Sequence, residues 1–418
     1  MAVKPKLALI PSGVKASKVY SVLPSDGVGD FDFSRSGSAT RINKDGLIET
    51  VASNVPRLNY PLIDGVVSGC PSLLLEPQSI NRVTHSEDFS DASWTKTRSS
   101  VVSNVEISPK GNLTASRLFD DTSSNSHYIR TVLTSTTSDN SRFIFAKKGT
   151  FNYIQVSEIE QRGISNGYAI FDLENGVVIQ SVTFTAEIED FGNGWYKCIL
   201  KGSSYNIFDI NILNSASTGS SGQIYTGTGT DYISIWGAML EENYFSTSYI
   251  PTNGSQATRS AETCNNAGDV NTFNDSEGVL MAEIAYPNPT TSSNLRIAIS
   301  DGTGSNRILI QNVSFAPNRL QFYVIANGVV STDFLTDLSD ITSFNKIAFK
   351  YKTNDFSVWI NGFEVLTDTI GSTFSDGTLN EFAFDGGDGA FDFYGNTKQI
   401  KYFNKALSDA ELAALTKI

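Results

Sequence analysis

Apolar positions along this chain recur at every second residue far more often than at every third or fourth. In KIAFKYK, Ile347, Phe349 and Tyr351 fall on one side of an extended segment. Lys346, Lys350 and Lys352, with Ala348 between them, fall on the other, which predicts a strand with one wet face. FSVWINGFEV repeats the alternation: Phe356, Val358 and Ile360 share a face, and Trp359 lies opposite with Ser357. Asn361-Gly362 then supplies two residues tolerant of positive φ, the mark of a type I′ hairpin. Asn175-Gly176 and Asn327-Gly328 carry the same signal. Many short strands between Gly, Asn and Ser turns predict an all-β chain of sandwiches or jelly rolls. Helical spacing is confined to LSDAELAALTKI. There Ser408 stands as N-cap, Glu411 in the capping-box position, and Leu412 and Leu415 as a short apolar stripe.

Three blocks separate along the chain. Residues 1–80 are rich in Gly, Pro and Ser with short apolar pieces, which predicts an extended arm or small subdomain that a partner must order. Residues 81–262 predict a first β domain, and residues 263–418 a second one closed by the helix. SYIPTNGSQATRSAE, from Ser248 to Glu262, is polar and reads as the linker between them, with Arg259 pinned to a carboxylate. Gly192 and Gly194 around Asn193 predict a tight turn. Trp195 and Trp236 are expected in the core. A chain lacking residues 1–80 is expected to stay folded.

Charge narrows the function. Acidic residues outnumber basic ones 44 to 31, a net charge of −13, and no basic patch offsets it, so a nucleic-acid partner is not expected. Hydrophobic residues make up 40%, enough for real cores. No stretch approaches the roughly 18 apolar residues of a membrane span. MAVKPKLALIPSG is too short in apolar residues for a secretory signal, so synthesis in a cytoplasm is expected. Cys70, Cys198 and Cys264 are widely spaced and odd in number, which predicts free thiols.

Several segments resemble known proteins. FDFSRSGSATRINKDGLIETVASNVPRLNY resembles an opening shared by many phage structural proteins, with Arg35, Ser38, Ala39, Thr40, Arg41, Asn43, Gly46, Leu47, Ile48, Glu49, Asn54, Pro56, Arg57 and Tyr60 on the pattern. In the next run Leu74, Leu75, Glu76, Gln78, Asn81, Ser86, Glu87, Phe89 and Trp94 match, while Arg82 stands where Leu is usual. FDLENGVV, DFGNGWYKCIL and ISIWGAMLEENYFSTSYIPTNGSQATRSAE look like the carbohydrate-binding-module-like jelly roll of phage head-spike and tail-fibre proteins. FNKALSDAEL, Phe403 to Leu412, resembles the run that closes laminin-G/concanavalin-like sandwiches. The resemblance implies a virion protein, a head fibre or spike, or alternatively a tail fibre that binds the receptor. Its arm would be anchored to capsid or tail proteins through Arg35, Thr40, Arg41, Asn43 and Arg57. It also implies a homo-oligomer, a trimer by analogy, with β domains facing host surface glycans, and a location in the virion after assembly in a bacterial cytoplasm.

His85 and His127 sit in Ser/Asn-rich stretches that offer no nucleophile pairing. Glu158 and Glu160, or Glu241 and Glu242, are the carboxylates a polysaccharide-cleaving enzyme would use, but such pairs more often form a solvated face, and no enzyme is expected. Asp385, Asp388 and Asp392 in FDGGDGAFDF, together with Asp231, are the candidates for a structural Ca²⁺, against ordinary Asp-Gly turns. Trp359 is the expected solvent-facing tryptophan and glycan platform, against packing on a neighbouring subunit.

Overall fold

Period-two segments become strands throughout the computed structural model, which describes residues 3–133, 139–159, 165–203, 207–216, 222–243 and 245–418. Among the described residues the chain is nearly all β, with one short helix at the C-terminus.

The first sandwich stacks two six-stranded antiparallel sheets. One runs in the order Thr95–Thr97, His127–Val132, Ile207–Leu213, Tyr153–Ile159, Ser165–Asp172, Val177–Val182. The other runs Ser99–Ile107, Leu113–Asp120, Tyr232–Glu241, Asp139–Lys147, Trp195–Ser203, Thr185–Asp190. Alternate residues such as Ile144, Ile154, Val156, Phe208, Ile210 and Ile235 fill the space between them.

The second sandwich packs a five-stranded sheet on an eight-stranded one. The smaller has the order Val329–Asp337, Arg319–Ala326, Arg307–Asn312, Arg296–Ser300, Glu381–Ala383. The larger runs Phe363–Asp368, Phe356–Ile360, Asn345–Lys352, Glu277–Ala285, Gly395–Phe403, and then continues into the N-terminal stretch. Residues 1–80 therefore find their ordering partner within the chain. Leu7–Leu9 pairs with Gly395–Phe403 in the register Leu7↔Tyr402 to Leu9↔Ile400, and Ser72–Leu75 pairs along the same edge from Leu73↔Thr397 to Leu75↔Gly395. An edge that would otherwise expose unpaired backbone is closed this way. Leu7, Leu9, Val19, Phe31, Phe33, Leu73 and Leu75 all join the second core. The Phe31 ring meets Phe382 at 5.4 Å and Phe384 at 5.3 Å. The stretch is not an arm standing off from the domains, and its burial argues against the expectation that the rest folds without it. The reason is sequence distance: short apolar pieces look insufficient alone because their core lies more than 200 residues away.

The segment read as a linker is likewise internal. Tyr249 and Ile250 are buried with Trp236 and Phe145, and Ala257–Arg259 pairs with Ser79–Asn81. Thr252, Arg259 and Glu262 are spent on buried partners, while Asn253, Ser255, Gln256 and Thr258 face water.

Turn chemistry matches at two hairpins. Asn327-Gly328 has φ of 52° and 74°, and Asn361-Gly362 has 53° and 94°, as type I′ turns require. Asn175-Gly176 differs: only Gly176 has positive φ, and the Asp172 carboxylate accepts from Glu174 N and Asn175 N to build a longer turn. Gly192, Asn193 and Gly194 all have positive φ and turn the chain into Trp195–Ser203. Gly192 also touches backbone. A Cβ there would lie 2.4 Å from Gly65 O, at the tip of the Leu62–Val67 hairpin, so this hairpin docks on the first sandwich glycine to glycine. Trp195 and Trp236 are buried as expected.

The helix Asp409–Thr416 forms with its capping box: Ser408 N and Oγ donate to Glu411 at 2.9 and 2.7 Å. It lies on the outer side of the larger sheet. Leu412 and Leu407 there cover Val279, Met281, Ala348 and Trp359.

Candidate functional site

The structure redistributes the residues singled out in the sequence. Trp359 does face away from Phe356, Val358 and Ile360, but it is only 7% exposed because the C-terminal helix lies over it. It is no glycan platform. The same helix dries Ala348, and Lys350 is buried against Asp355 at 2.5 Å, so the strand face expected to be wet is largely covered.

Arg35, Thr40 and Arg57 are buried and cannot reach a partner protein. They converge with residues from the first sandwich's two ends on a closed ion cluster. Arg35 Nη1 donates to Glu262 at 2.7 Å, Arg57 Nε to Glu262 at 2.9 Å, and Arg57 Nη1 to Glu76 at 2.7 Å. Arg57 Nη2 makes a further short bond to Glu262. Arg259 Nη1 lies 3.1 Å from Glu76, which is the carboxylate pin expected for it. Burial works against the Glu76 charge, yet Arg259 and Arg57 hold its carboxyl down to about 2. Burial likewise opposes the Arg57 charge, and Glu262 and Glu76 outweigh it, raising the guanidinium further. Thr40 Oγ1 donates to Tyr249 O at 2.6 Å, and Arg57 Nη1 to Thr40 O at 2.9 Å. Arg41 pairs with Glu49 across the Ala39–Ile42 and Ile48–Val51 hairpin, and Asn43 Oδ1 accepts from Asp45 N and Leu47 N in its turn. These five residues hold the chain to itself. The matched motif is the joint between the N-terminal stretch, the supposed linker and both sandwiches.

The calcium candidates do not converge. Asp231 accepts from Thr228 Oγ1, Asp385 from Asn265 Nδ2 and Gly387 N, Asp388 from Arg307, and Asp392 from the Tyr394 hydroxyl. Among the described residues no three acidic, histidine or cysteine side chains stand together to hold a cation, so this set does not fit Ca²⁺. The carboxylates weighed for catalysis are also engaged. Glu241 accepts from Ser79 Oγ, Thr247 N and Thr247 Oγ1, and Glu242 pairs with Arg82. Glu158 is fully buried, 2.7 Å from Arg142, and burial pushes its carboxyl up to about 7 against the pull of that guanidinium. Glu160 lies outside the described residues.

A different surface gathers free binding groups: the outer face of the five-stranded sheet. Ile297, Ile299, Ile308, Ile310, Leu320 and Phe322 point into the core, so the residues between them point out. Register aligns Arg296 with Gln311 and Gln311 with Gln321, while Leu309, Tyr323 and Asp333 form the adjoining row. Arg296 Nε donates to Gln311 Oε1 at 2.6 Å, Gln311 Nε2 to Gln321 Oε1 at 2.8 Å, and Gln321 Nε2 to Asp333 Oδ1 at 2.8 Å and to the Tyr323 hydroxyl. The relay runs across four strands from a guanidinium to a carboxylate. Phe391, with φ 63° and half exposed, lies under the Arg296 guanidinium at 4.0 Å. Arg307 flanks the row and is held by Gly386 O at 2.7 Å and Asp388 at 3.2 Å. Gln311 in the middle of the row is buried, Arg296, Gln321 and Tyr323 are half-buried and Asp333 is exposed; polar groups fixed by neighbours at such a surface, beside an aromatic ring, suit a polyhydroxylated ligand. The signal was present in RIAIS, RILIQN and RLQFYVIA as polar residues at alternate positions.

No family model matches the chain, and no curated protein matches it. Among solved structures it is similar to the Ruminococcus gnavus IT-sialidase CBM40 bound to α2,3 sialyllactose, at 16% identity over 34% of this chain and 84% of that one, TM-score 0.29. Domain 4 of AbnA, a GH43 extracellular arabinanase from Geobacillus stearothermophilus in complex with arabinotriose, has 13% identity over 41% and 82% of the respective chains, TM-score 0.31. Mouse laminin alpha1 domains LG4-5 have 10% identity over 68% and 90%, TM-score 0.24. Scores this low lend no argument about what this chain does.

Proposed function

We propose that the chain is a non-catalytic bacteriophage virion protein, a head fibre or spike, that contacts host surface glycans through the outer face of its second sandwich. The observation that carries the glycan contact is the ordered polar row that runs from the half-buried Arg296 through the buried Gln311 to the half-buried Gln321 and Tyr323 and the exposed Asp333, beside the half-exposed Phe391. A planar face of this kind takes weak, extended ligands, and many copies on one particle convert weak affinity into avidity.

The virion assignment is supported by the matched segments from Phe31 to Glu262, whose arginines and glutamates form one buried joint. Such a joint lets the sandwiches project as a stiff unit. Homo-oligomerisation is favoured by the edge strands Val329–Asp337 and Phe363–Asp368, where Val329 and Phe363 are well exposed. The non-catalytic reading is supported by the engagement of Glu241 and Glu242 with protein donors.

The test is to label purified phage particles with an antibody fragment against residues 263–418. Density spread over the head is expected. Density confined to the tail would favour the tail-fibre reading, and no label on intact particles would refute the virion assignment.

A further inference from the structure

We infer that the outer face of the five-stranded sheet selects glycans bearing a carboxylate, uronic-acid-containing chains being the class that fits. This rests on the glycan reading of the same face.

The inference starts from one uncommitted charge. Among the described residues, Arg296 and Arg98 are the arginines with no carboxylate in ion-pair contact. Arg98 is tied to Ser126 O through its Nε. Arg296 instead has its Nε fixed by Gln311 and its plane supported by Phe391, which leaves its two terminal nitrogens as a pre-aimed fork. A guanidinium fork matches a planar carboxylate with two parallel hydrogen bonds. In a chain of net charge −13, a guanidinium left open and held still implies an anion brought from outside.

The carboxylates facing this surface are already committed. Asp388 binds Arg307 at 3.2 Å, Asp333 accepts from Gln321 at 2.8 Å, and Asp337 holds Arg319 at 2.6 Å. Asp388 is near enough for its charge to act on Arg296 as well, but none of the three is in ion-pair contact with it. The far end of the row has the opposite character. Gln321 spends its amide on the Tyr323 hydroxyl and on Asp333 Oδ1, so Asp333 Oδ2 remains an acceptor for ligand hydroxyls. Between the Arg296 strand and the Asp333 strand lie three strand spacings, about 14 Å. A ligand that satisfies both ends carries a carboxylate at one place and hydroxyls farther along. An acidic oligosaccharide does so, whereas a small carboxylic acid would leave the Asp333 end unused.

The experiment titrates the full chain by calorimetry with a tetrasaccharide of alternating glucuronate and neutral sugars, and with its carboxyl-reduced, uncharged counterpart. Tighter binding of the acidic form, on the order of tenfold or more, is expected from one charge-assisted fork. Arg296→Met should remove that preference, and Arg296→Lys, which keeps charge without the fork, should retain part of it. Equal affinity for both sugars would overturn the inference and leave the glycan reading standing. Binding of neither would overturn both. A preference that survives in folded Arg296→Met would also refute the inference, by placing the charge contact elsewhere.

Discussion

Replacing Glu76 by Gln tests whether the buried ion cluster holds the molecule together. Glu76 accepts from Arg57 Nη1 at 2.7 Å, Ser248 N at 2.8 Å and Ser248 Oγ at 2.6 Å, and stands 3.1 Å from Arg259. The amide would keep the volume but leave Arg35, Arg57 and Arg259 facing the single charge of Glu262. Removing one partner of a buried pair costs about 3–5 kcal/mol. Linkage gives a similar figure: a carboxyl brought from 4.5 to about 2 contributes about 3 kcal/mol at neutral pH. The sign follows from a depressed folded pKa. The contribution is complete above pH 4.5 and is lost as pH falls through about 2. For 418 residues unfolding together, a melting entropy of roughly 0.9 kcal/mol per degree turns this loss into a Tm drop of about 3–6 °C. Urea denaturation followed by tryptophan fluorescence, at pH 7 and again near pH 2.5, reads both parts. Glu76→Gln should be less stable by about 3 kcal/mol or more at pH 7, with the gap narrowing in acid. A loss below about 1 kcal/mol at pH 7, or an equal loss at both pH values, would refute the reasoning.

Four further outcomes are expected. The Glu158 carboxyl is raised to about 7, so its proton favours the fold. Wild-type stability should fall as pH rises from about 4.5 to 7, and Glu158→Gln should lack that part of the slope in pH-dependent melts. Gly192→Ala places a methyl 2.4 Å from Gly65 O at a residue with φ 75°, so about 1–3 kcal/mol should be lost and limited proteolysis should begin in the Leu62–Val67 hairpin. Leu73→Ala empties a fully buried site in the second core and should cost about 2–5 kcal/mol in denaturant titration. A chain lacking residues 1–80 should then lose cooperative unfolding of the second sandwich.

What could be read from the sequence was local. Period two, the Asn-Gly turns at 327 and 361, and the Ser408–Glu411 capping box each depend on residues within a few positions of one another. The alternation even placed Trp359 on the correct face. It could not show that a helix some 50 residues later covers that face. The ion cluster was invisible for the same reason: Arg35 and Arg57 meet Glu262 across more than 200 residues. Ser248, Arg259 and Glu262 thus looked like parts of a solvent-facing linker when they line a buried joint, although Asn253, Ser255, Gln256 and Thr258 between them do face water. The binding face needed register as well as alternation, because Arg296, Gln311 and Gln321 become a row only when three strands are aligned.

The most direct test of the account is hydrogen–deuterium exchange of the full chain with and without capsular polysaccharide from the host. The account predicts protection concentrated in residues 296–337 and in the 386–392 loop, with the first sandwich unchanged. Protection confined to the first sandwich, or none at saturating polysaccharide, would contradict it.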